Sequence, residues 1–133
     1  MRIVITRFLL LCGLFLSMAS WASAQSDQLG AVRAAFANGS SRDLAQLLAP
    51  SVEVGFDGDQ QTYNATQTEL VVKNFFAKNP PASFDVVHQG SSTDGIPYAV
   101  CRYGGRSGNY QVFIRLKSKQ GAPVIDKLDF TKQ

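Results

Sequence analysis

Apolar residues recur at helical spacing in the segment from Ser26 to Asn38. They are three or four positions apart and would share one side of a helix; they are Leu29, Val32, Ala35 and Phe36. The dipeptide Asn38-Gly39 is typical of a helix end, because both residues tolerate the left-handed backbone that closes a last turn. The spacing therefore predicts a first helix over Ser26 to Asn38.

A second, shorter helix is predicted directly after the first. Ser40 or Ser41 can cap its amino end with a side-chain oxygen. Pro50 would end it, since the residue before a proline is pushed out of the helical conformation. The apolar face of this helix would consist of Leu44, Leu47 and Leu48.

A period of two begins at Val52 and continues to Phe56, with apolar residues at alternate positions. The dipeptide Asp57-Gly58 suits a tight turn between two strands. Residues 60–63 can then return alongside the first strand. The pattern predicts a short hairpin.

A third helix is predicted between Asn64 and Asn79. Asn64 suits the N-cap, and Gln67 three residues later can complete a capping box. Successive turns of the helix are marked by Leu70, Val71, Asn74, Phe75 and Lys78, with Phe75 and Phe76 as its main apolar anchors. The pair Pro80-Pro81 cannot continue a helix, so the third helix should stop before it.

After the two prolines the apolar period changes from 3.6 to two. Four segments follow this strand pattern, and Gly-containing turns connect them: residues 84–89, 96–103, 109–117 and 124–130. In the third segment one side would carry Tyr110, Val112, Ile114 and Leu116, which should meet the helices. The order of elements, with helices first and a four-stranded meander later, predicts an α+β domain. Three helices would pack on one face of a curved antiparallel sheet.

The amino-terminal segment predicts export. Arg2 and Arg7 precede an apolar run from Phe8 to Met18, and Ala22-Ser23-Ala24 fits a small-x-small cleavage pattern. The run is too short for a membrane-spanning helix, which needs about 20 apolar residues. We therefore expect a signal peptide over residues 1–24, a single domain over residues 25–133, a periplasmic or secreted location, and no integral membrane segment after cleavage.

Composition and charge exclude several classes of protein. The chain is 45% hydrophobic and 17% charged, which disfavours disorder and predicts a folded core. The formal charge of +3 includes the two arginines of the leader, so the mature domain is close to neutral. Its charges are also interleaved, unlike the dense basic footprint that binding to phosphates requires. Nucleic acid is not an expected partner.

Cys101 is the one cysteine that the mature domain would keep. No disulfide within the domain is then available, and the core must be stable without one. We expect Cys101 to be a small buried hydrophobic residue on a strand. The alternatives are an intermolecular disulfide or a reactive thiol, for which no neighbouring base is evident in sequence.

The amino-acid sequence of the central segment resembles that of a known family. Residues 75–84 read Phe-Phe-Ala-Lys-Asn-Pro-Pro-x-Ser-Phe, and His88-x-Gly90-Ser91-Ser92-x-Asp94-Gly95 and Tyr98-Ala99 follow. These motifs resemble the domain of unknown function 4783 family of small exported proteins, and the resemblance extends from about Leu29 to Phe130. It implies the cystatin-like or nuclear-transport-factor-two-like fold, a cone in which a sheet wraps a helix. That wider fold includes ketosteroid isomerase-like and dehydratase-like enzymes and also non-catalytic interaction domains. The fold alone therefore does not determine whether the protein is an enzyme or which reaction it would catalyse.

His88 is the one histidine of the chain, and strand alternation would put it on the same face as Phe84 and Val86, inside the cone. There it could act as a base, or it could be a structural or solvated histidine without a catalytic partner. The candidates for a ligand pocket are Phe75, Phe84, His88, Tyr98 and Tyr110. No catalytic residue, cofactor or metal is predicted, and Asp57-Gly58-Asp59 lacks the following ligands of a calcium loop.

The outer face of the sheet mixes apolar and charged residues, as protein interfaces often do. The candidates for an interface are Tyr103, Phe113, Arg115 and Ile125. We expect a homodimer through this face, because closed two-fold dimers are the commonest assembly. The alternative is an ordinary amphipathic face in contact with solvent.

These observations favour an exported non-catalytic binding or interaction module. It would hold a small apolar ligand in the cone or meet a protein partner with the outer sheet. The alternative is a small isomerase or dehydratase-like enzyme that uses an acid and a base in the cavity. The two differ in whether polar, titratable side chains converge at the floor of a pocket.

Overall fold

The computed structural model of the protein describes residues 28–119 and 122–133; the predicted leader lies outside them. A first helix, α1, covers described residues 28–37. The helices that follow are α2 (Ser41–Ala45) and α3 (Ala65–Lys78), and the strands are β1 (Leu48–Phe56), β2 (Asp59–Asn64), β3 (Pro81–Ser91), β4 (Pro97–Gly105), β5 (Asn109–Lys119) and β6 (Ala122–Lys132). No helix among the described residues is both long and apolar enough to cross a membrane.

The strands form one six-stranded sheet in the order β2-β1-β6-β5-β4-β3. The predicted hairpin is β1–β2, and the predicted meander is β3 to β6, all with antiparallel pairing. The hairpin joins the meander through β1 and β6, which run parallel. The α+β fold class is confirmed. The parallel pair is an addition that local periodicity does not reveal, because its two strands are far apart in sequence.

The second helix is shorter than its apolar pattern predicts. Ser40 caps it by accepting a hydrogen bond from the Asp43 N–H at 3.1 Å, and it ends at Ala45. The chain then enters β1, where Leu48 pairs with Ile125 and the Leu47 carbonyl accepts from the Ile125 N–H at 2.8 Å. Pairing with β6 thus overrides the helical spacing of these leucines, and Pro50 lies within the strand.

The third helix begins as predicted. The Asn64 side chain accepts from the Gln67 N–H at 2.8 Å, and the Gln67 side chain accepts from the Asn64 N–H at 3.1 Å. This capping box satisfies amide groups that have no partner within the helix. Thr68 adds a hydroxyl hydrogen bond to the Asn64 carbonyl at 2.8 Å.

An aromatic cluster fills the space between the helices and the sheet. Phe36 of α1 stacks on Phe84 with ring centroids 4.6 Å apart. Phe75 of α3 lies 4.8 Å from Phe130 and 5.1 Å from Tyr103. Aliphatic side chains of β1, β4, β5 and β6 complete the core around these rings. Val112, Ile114 and Leu116 of β5 are among them, so the predicted inner face of β5 is confirmed.

Asn79 ties the end of α3 to the turn between β4 and β5. Its side-chain Nδ2 donates to the Gly108 carbonyl at 2.9 Å, and its Oδ1 accepts from the Ser107 N–H at 2.7 Å. Its own carbonyl accepts from the Tyr103 hydroxyl. A Cβ at Gly105 would collide with the Asn79 amide, so the glycine allows this close approach. Asn79 is 6% exposed, and its hydrogen bonds are largely shielded from water.

Replacing this amide should destabilise the whole domain. Asn79→Ala leaves the Ser107 N–H without its partner and removes one of the two hydrogen bonds to the Gly108 carbonyl, which keeps that from the Gly105 N–H. We expect a loss of about 1–3 kcal/mol in the free energy of unfolding. Urea denaturation followed by circular dichroism measures it. Asn74→Ala, at an exposed position of the same helix, is the control and should change stability by no more than about 0.5 kcal/mol. Equal midpoints for the two variants would contradict the role of Asn79.

Candidate functional site

Three of the predicted pocket residues lie between the helices and the sheet. Phe75 and Phe84 are 9% and 5% exposed and belong to the core, while Tyr110 is half-buried at its edge. The Tyr110 ring meets the Phe75 ring edge-on, with centroids 5.2 Å apart. These side chains pack against one another, and the rings occupy much of the interior that a ligand would need.

His88 and Tyr98 lie on the opposite face, and the expectation that they point into the cone is wrong. Val86 pairs with Cys101 on the inner face, but the register then shifts and His88 pairs with Val100. This bulge at Val87 inserts one residue and turns His88 to the face of the sheet that the helices do not cover, which we call the open face. Tyr98 stands opposite Arg115 on the same open face. The His88 Nε2 and the Tyr98 hydroxyl are 3.3 Å apart.

The four predicted interface residues separate into two pairs. Phe113 and Arg115 lie on the open face, since they alternate with the fully buried Val112 and Ile114. Tyr103 and Ile125 are both 0% exposed and belong to the core, so their assignment to the outer face is wrong.

Strand register explains both errors. Tyr103 stands directly opposite Tyr110, and opposite residues of neighbouring strands share a face. Ile125 stands opposite the inward-facing Leu116, but the register shifts before Lys127 pairs with Arg115. Simple alternation from Lys127 back to Ile125 therefore fails.

The open face carries a stacked aromatic pair among ion pairs. The Tyr98 and Phe113 rings are 5.5 Å apart with an interplanar angle of 25°. Arg115 donates to Asp126 at 2.8 Å, and this hydrogen bond raises the pKa of the guanidinium above its ordinary value. Lys127 lies 3.8 Å from Glu53. The face thus combines apolar rings with charges that are already partly neutralised.

The two buried titratable groups of β4 are held in their neutral forms. Burial raises the pKa of the Cys101 thiol from 9.0 to about 12, although the positive charge of Arg33 acts in the opposite direction. Burial also raises the pKa of Tyr103 from 10.0 to about 12. A neutral thiol is a poor nucleophile, and the Tyr103 hydroxyl already donates to the Asn79 carbonyl. Cys101 is a buried strand residue, as predicted.

A groove, which we call the mouth groove, opens at the end of the cone between α3 and the end of β1. Its volume is about 310 Å³, and its lining consists of Phe56, Val71, Asn74, Phe75 and Lys78. Of these residues, sequence reasoning proposed only Phe75 for a site. The signal was present in the helical spacing of positions 71, 74, 75 and 78, which places them on one side of α3.

A second, smaller depression lies on the open face. It measures about 190 Å³, and its lining includes Val87, Val100, Arg102, Gln111 and Gln133. It is separate from the mouth groove, since the two share no lining residue. Cys101 and Tyr110 also contribute to it, and Tyr110 is the one residue of its lining that the sequence proposed for a pocket.

The described residues offer little for acid–base or metal chemistry. Thr68 and Asn79 are buried polar side chains among them, and both are hydrogen-bonded to backbone groups. No group of three or more His, Cys, Asp or Glu side chains within residues 28–119 and 122–133 is placed to hold a metal ion. The arrangement can bind apolar groups in the mouth groove and on the open face.

Comparison with known proteins identifies the family but no activity. The chain is 27% identical to a DUF4783 family protein from Bacteroides ovatus, over 77% of this chain and 93% of that chain, with a TM-score of 0.73. An NTF2-like protein of unknown function from Shewanella baltica shares the fold at 12% identity, over 86% and 95% of the two chains, with a TM-score of 0.66. A putative isomerase from Bacillus subtilis does so at 11% identity, over 85% and 88%, with a TM-score of 0.64.

No curated protein matches the chain. The family model described as Domain of unknown function (DUF4783) matches residues 29–131. This range includes the capped α3, the Asn79 contacts and the six strands of the described sheet except the last residue of β6. The fold neighbours agree with a nuclear-transport-factor-two-like cone. The chain belongs to the DUF4783 family.

Proposed function

We propose that the protein is an exported, non-catalytic binding module that holds a small apolar ligand at the mouth of its cone. The observation that carries this proposal is the mouth groove between α3 and β1, with its aromatic floor. The export rests on the leader-like residues 1–24.

The groove has the size and chemistry of a small-molecule site. Ligand pockets are typically about 300–1,000 Å³ and mostly apolar, with a few polar groups that orient the ligand. Here the volume is about 310 Å³; Phe56, Val71 and Phe75 supply apolar surface, and Asn74 and Lys78 supply polar groups. Both polar residues are exposed, which places them at the rim. A short alkyl chain or a single ring would fit this arrangement.

The floor of the groove is rigid. Phe56 stacks on Phe130 with centroids 4.8 Å apart, and Phe75 lies 5.8 Å from Phe56. Phe75 is also in contact range of Tyr103 and Tyr110. Because these rings are held by the core, binding would not require them to become ordered, which reduces the entropy loss of association.

The enzyme alternative has less support. An isomerase or dehydratase needs an acid or base that faces the bound substrate. His88 lies on the open face, across the sheet from the mouth groove. The buried Cys101 and Tyr103 are held neutral by burial. The name of the putative isomerase from Bacillus subtilis describes that protein, and at 11% identity the likeness extends to the fold alone.

Filling the groove should abolish binding of a small apolar probe. Octanol, titrated into isotope-labelled protein, should give saturable chemical-shift changes at backbone amides of residues 56 and 71–78. Asn74→Trp places an indole in the groove and should weaken binding at least about tenfold. Lys73→Trp, at an exposed position of the same helix outside the groove lining, is the matched control. Absence of saturable shifts, or equal affinities for both variants, would refute the proposed site.

The buried Cys101 thiol should not react with alkylating agents in the folded protein. Its burial should also make the domain less stable at alkaline pH. Cys101 has a higher pKa in the folded protein, so the unfolded chain releases its proton first as the pH rises. Stability is therefore present below about pH 9 and is lost between about pH 9 and pH 12, and Tyr103 adds to this loss from about pH 10. Iodoacetamide at pH 8 should label Cys101 only after urea unfolding.

Urea titrations at pH 8, 9.5 and 11 measure the stability change. Cys101→Val keeps an apolar strand residue without the thiol, and it should lose less stability between pH 8 and 9.5 than the parent protein. Rapid labelling of the folded protein, or identical pH profiles for both proteins, would show that the thiol is not held neutral.

A further inference from the structure

The charged side chain at the rim of the mouth groove is a lysine. Among the described residues that line the groove, Lys78 alone is charged, and Asn74 is the other polar residue. Both are exposed, whereas Phe75 beside them belongs to the core. A ligand whose apolar part fills the groove would therefore present its polar end to an ammonium group and a carboxamide.

Helix geometry brings these two polar side chains together. Asn74 and Lys78 are four residues apart, so they are neighbours on the surface of α3, on the same side as Val71 and Phe75. Side chains of a helix lean towards its amino end, so the Lys78 stem extends back over the turn that carries Asn74. Lysine commonly lays its methylene groups on apolar surface and keeps its ammonium group in water. Lys78 can thus cover the edge of the groove while its Nζ stays at the rim.

The Lys78 ammonium is available to a ligand. The ion pairs within residues 28–119 and 122–133 are Arg33–Asp85, Arg115–Asp126 and Lys127–Glu53. Lys78 takes part in none of them. An ammonium group has three donors and no acceptor, and its hydrogen bonds to a carboxylate are stronger than those to a neutral oxygen. The chemistry of the rim therefore favours an anionic head group.

The end of α3 opposes an anion less than a free helix end would. The last carbonyls of a helix carry partial negative charge. Here the Phe75 carbonyl accepts from the Asn79 N–H at 2.8 Å, and the Lys78 carbonyl accepts from the Ser107 hydroxyl at 3.0 Å. These donors offset part of the negative charge at the end of the helix that borders the groove.

Further basic residues belong to the segments that meet this end of α3. The Arg106 N–H donates to the Pro80 carbonyl at 3.0 Å, and the Lys132 Cε is 3.9 Å from where a Cβ at Gly108 would stand. Acidic residues lie instead in the turn between β1 and β2, where Asp59 stands opposite Phe56. This separation of charge directs an anionic head group to the α3 side of the groove.

We propose that the ligand of the mouth groove is a single-chain carboxylate, with its alkyl chain on Phe56, Val71 and Phe75 and its carboxylate on the Lys78 ammonium group. This inference rests on the proposed function, because it names the class of ligand for the same groove. Asn74 can donate a second hydrogen bond to the carboxylate through its Nδ2. The volume of about 310 Å³ suits a short chain such as that of octanoate.

Titrations of octanol, octanoate and octylammonium into isotope-labelled protein test this inference, because the three probes share a chain length and differ in the charge of the head group. At low ionic strength, octanoate should bind about threefold more tightly than octanol, and octylammonium more weakly than octanol. The shifts should occur at backbone amides of residues 56 and 71–78. Added salt should reduce the preference for octanoate over octanol, because salt screens exposed charges.

Variants of Lys78 identify the group that carries the preference. Lys78→Met keeps an apolar stem without the charge, and it should lower the ratio of octanoate affinity to octanol affinity to about one. Lys78→Glu should reverse the order and place octylammonium above octanoate. Lys73→Met removes a lysine of the same helix that lies outside the groove lining, so it is the matched control and should keep the ratio of the parent protein.

The outcomes separate this inference from the proposed function. If octanol binds in the groove but octanoate binds no more tightly, the inference is overturned and the proposed function stands. The same holds if Lys78→Met and Lys73→Met change the ratio equally, or if octanoate shifts only amides outside the groove. If none of the three probes binds in the groove, the proposed function is overturned and the inference with it. Thermal melts establish that each variant is folded.

Discussion

The fold depends on one buried amide, that of Asn79, which joins the end of α3 to the turn between β4 and β5. The amide uses its donor on the Gly108 carbonyl and its acceptor on the Ser107 N–H, while the Asn79 carbonyl receives the Tyr103 hydroxyl. These contacts cross from the helix layer to the sheet layer. They fix how far α3 lies along the sheet, and thereby which rings of α3 meet which rings of the strands.

The aromatic cluster follows from this placement. With α3 fixed, Phe75 reaches Tyr103, Tyr110 and Phe130, and Phe76 meets Phe36. The rings fill the interior of the cone instead of lining a cavity. Outside this core, the described residues expose aromatic rings at the groove of the mouth and at the open face of the sheet. The sheet separates them, so the two sites do not share side chains.

Much of the fold could be predicted from sequence, since helical spacing, capping residues and alternation are local properties. Asn64 and Gln67 form the predicted capping box, and Val112 and Ile114 face the helices as predicted. Local patterns give the wrong structure where pairing with a strand that is distant in sequence determines the conformation or the face of a residue. Leu48 leaves its helical pattern to pair with Ile125. The bulge at Val87 reverses the face of His88, and the register shift in β6 reverses that of Ile125, because one extra residue exchanges the two faces of a strand.

Aromatic rings pack the interior of the cone, and we propose that apolar binding occurs at its mouth. Diffraction from crystals of the protein pressurised with xenon tests both statements, because xenon enters apolar voids without needing polar contacts. We expect xenon against Phe56, Val71 and Phe75 in the mouth groove, and none between the stacked rings of Phe36 and Phe84 or of Phe56 and Phe130. Xenon within the ring cluster, with the groove empty, would contradict both statements.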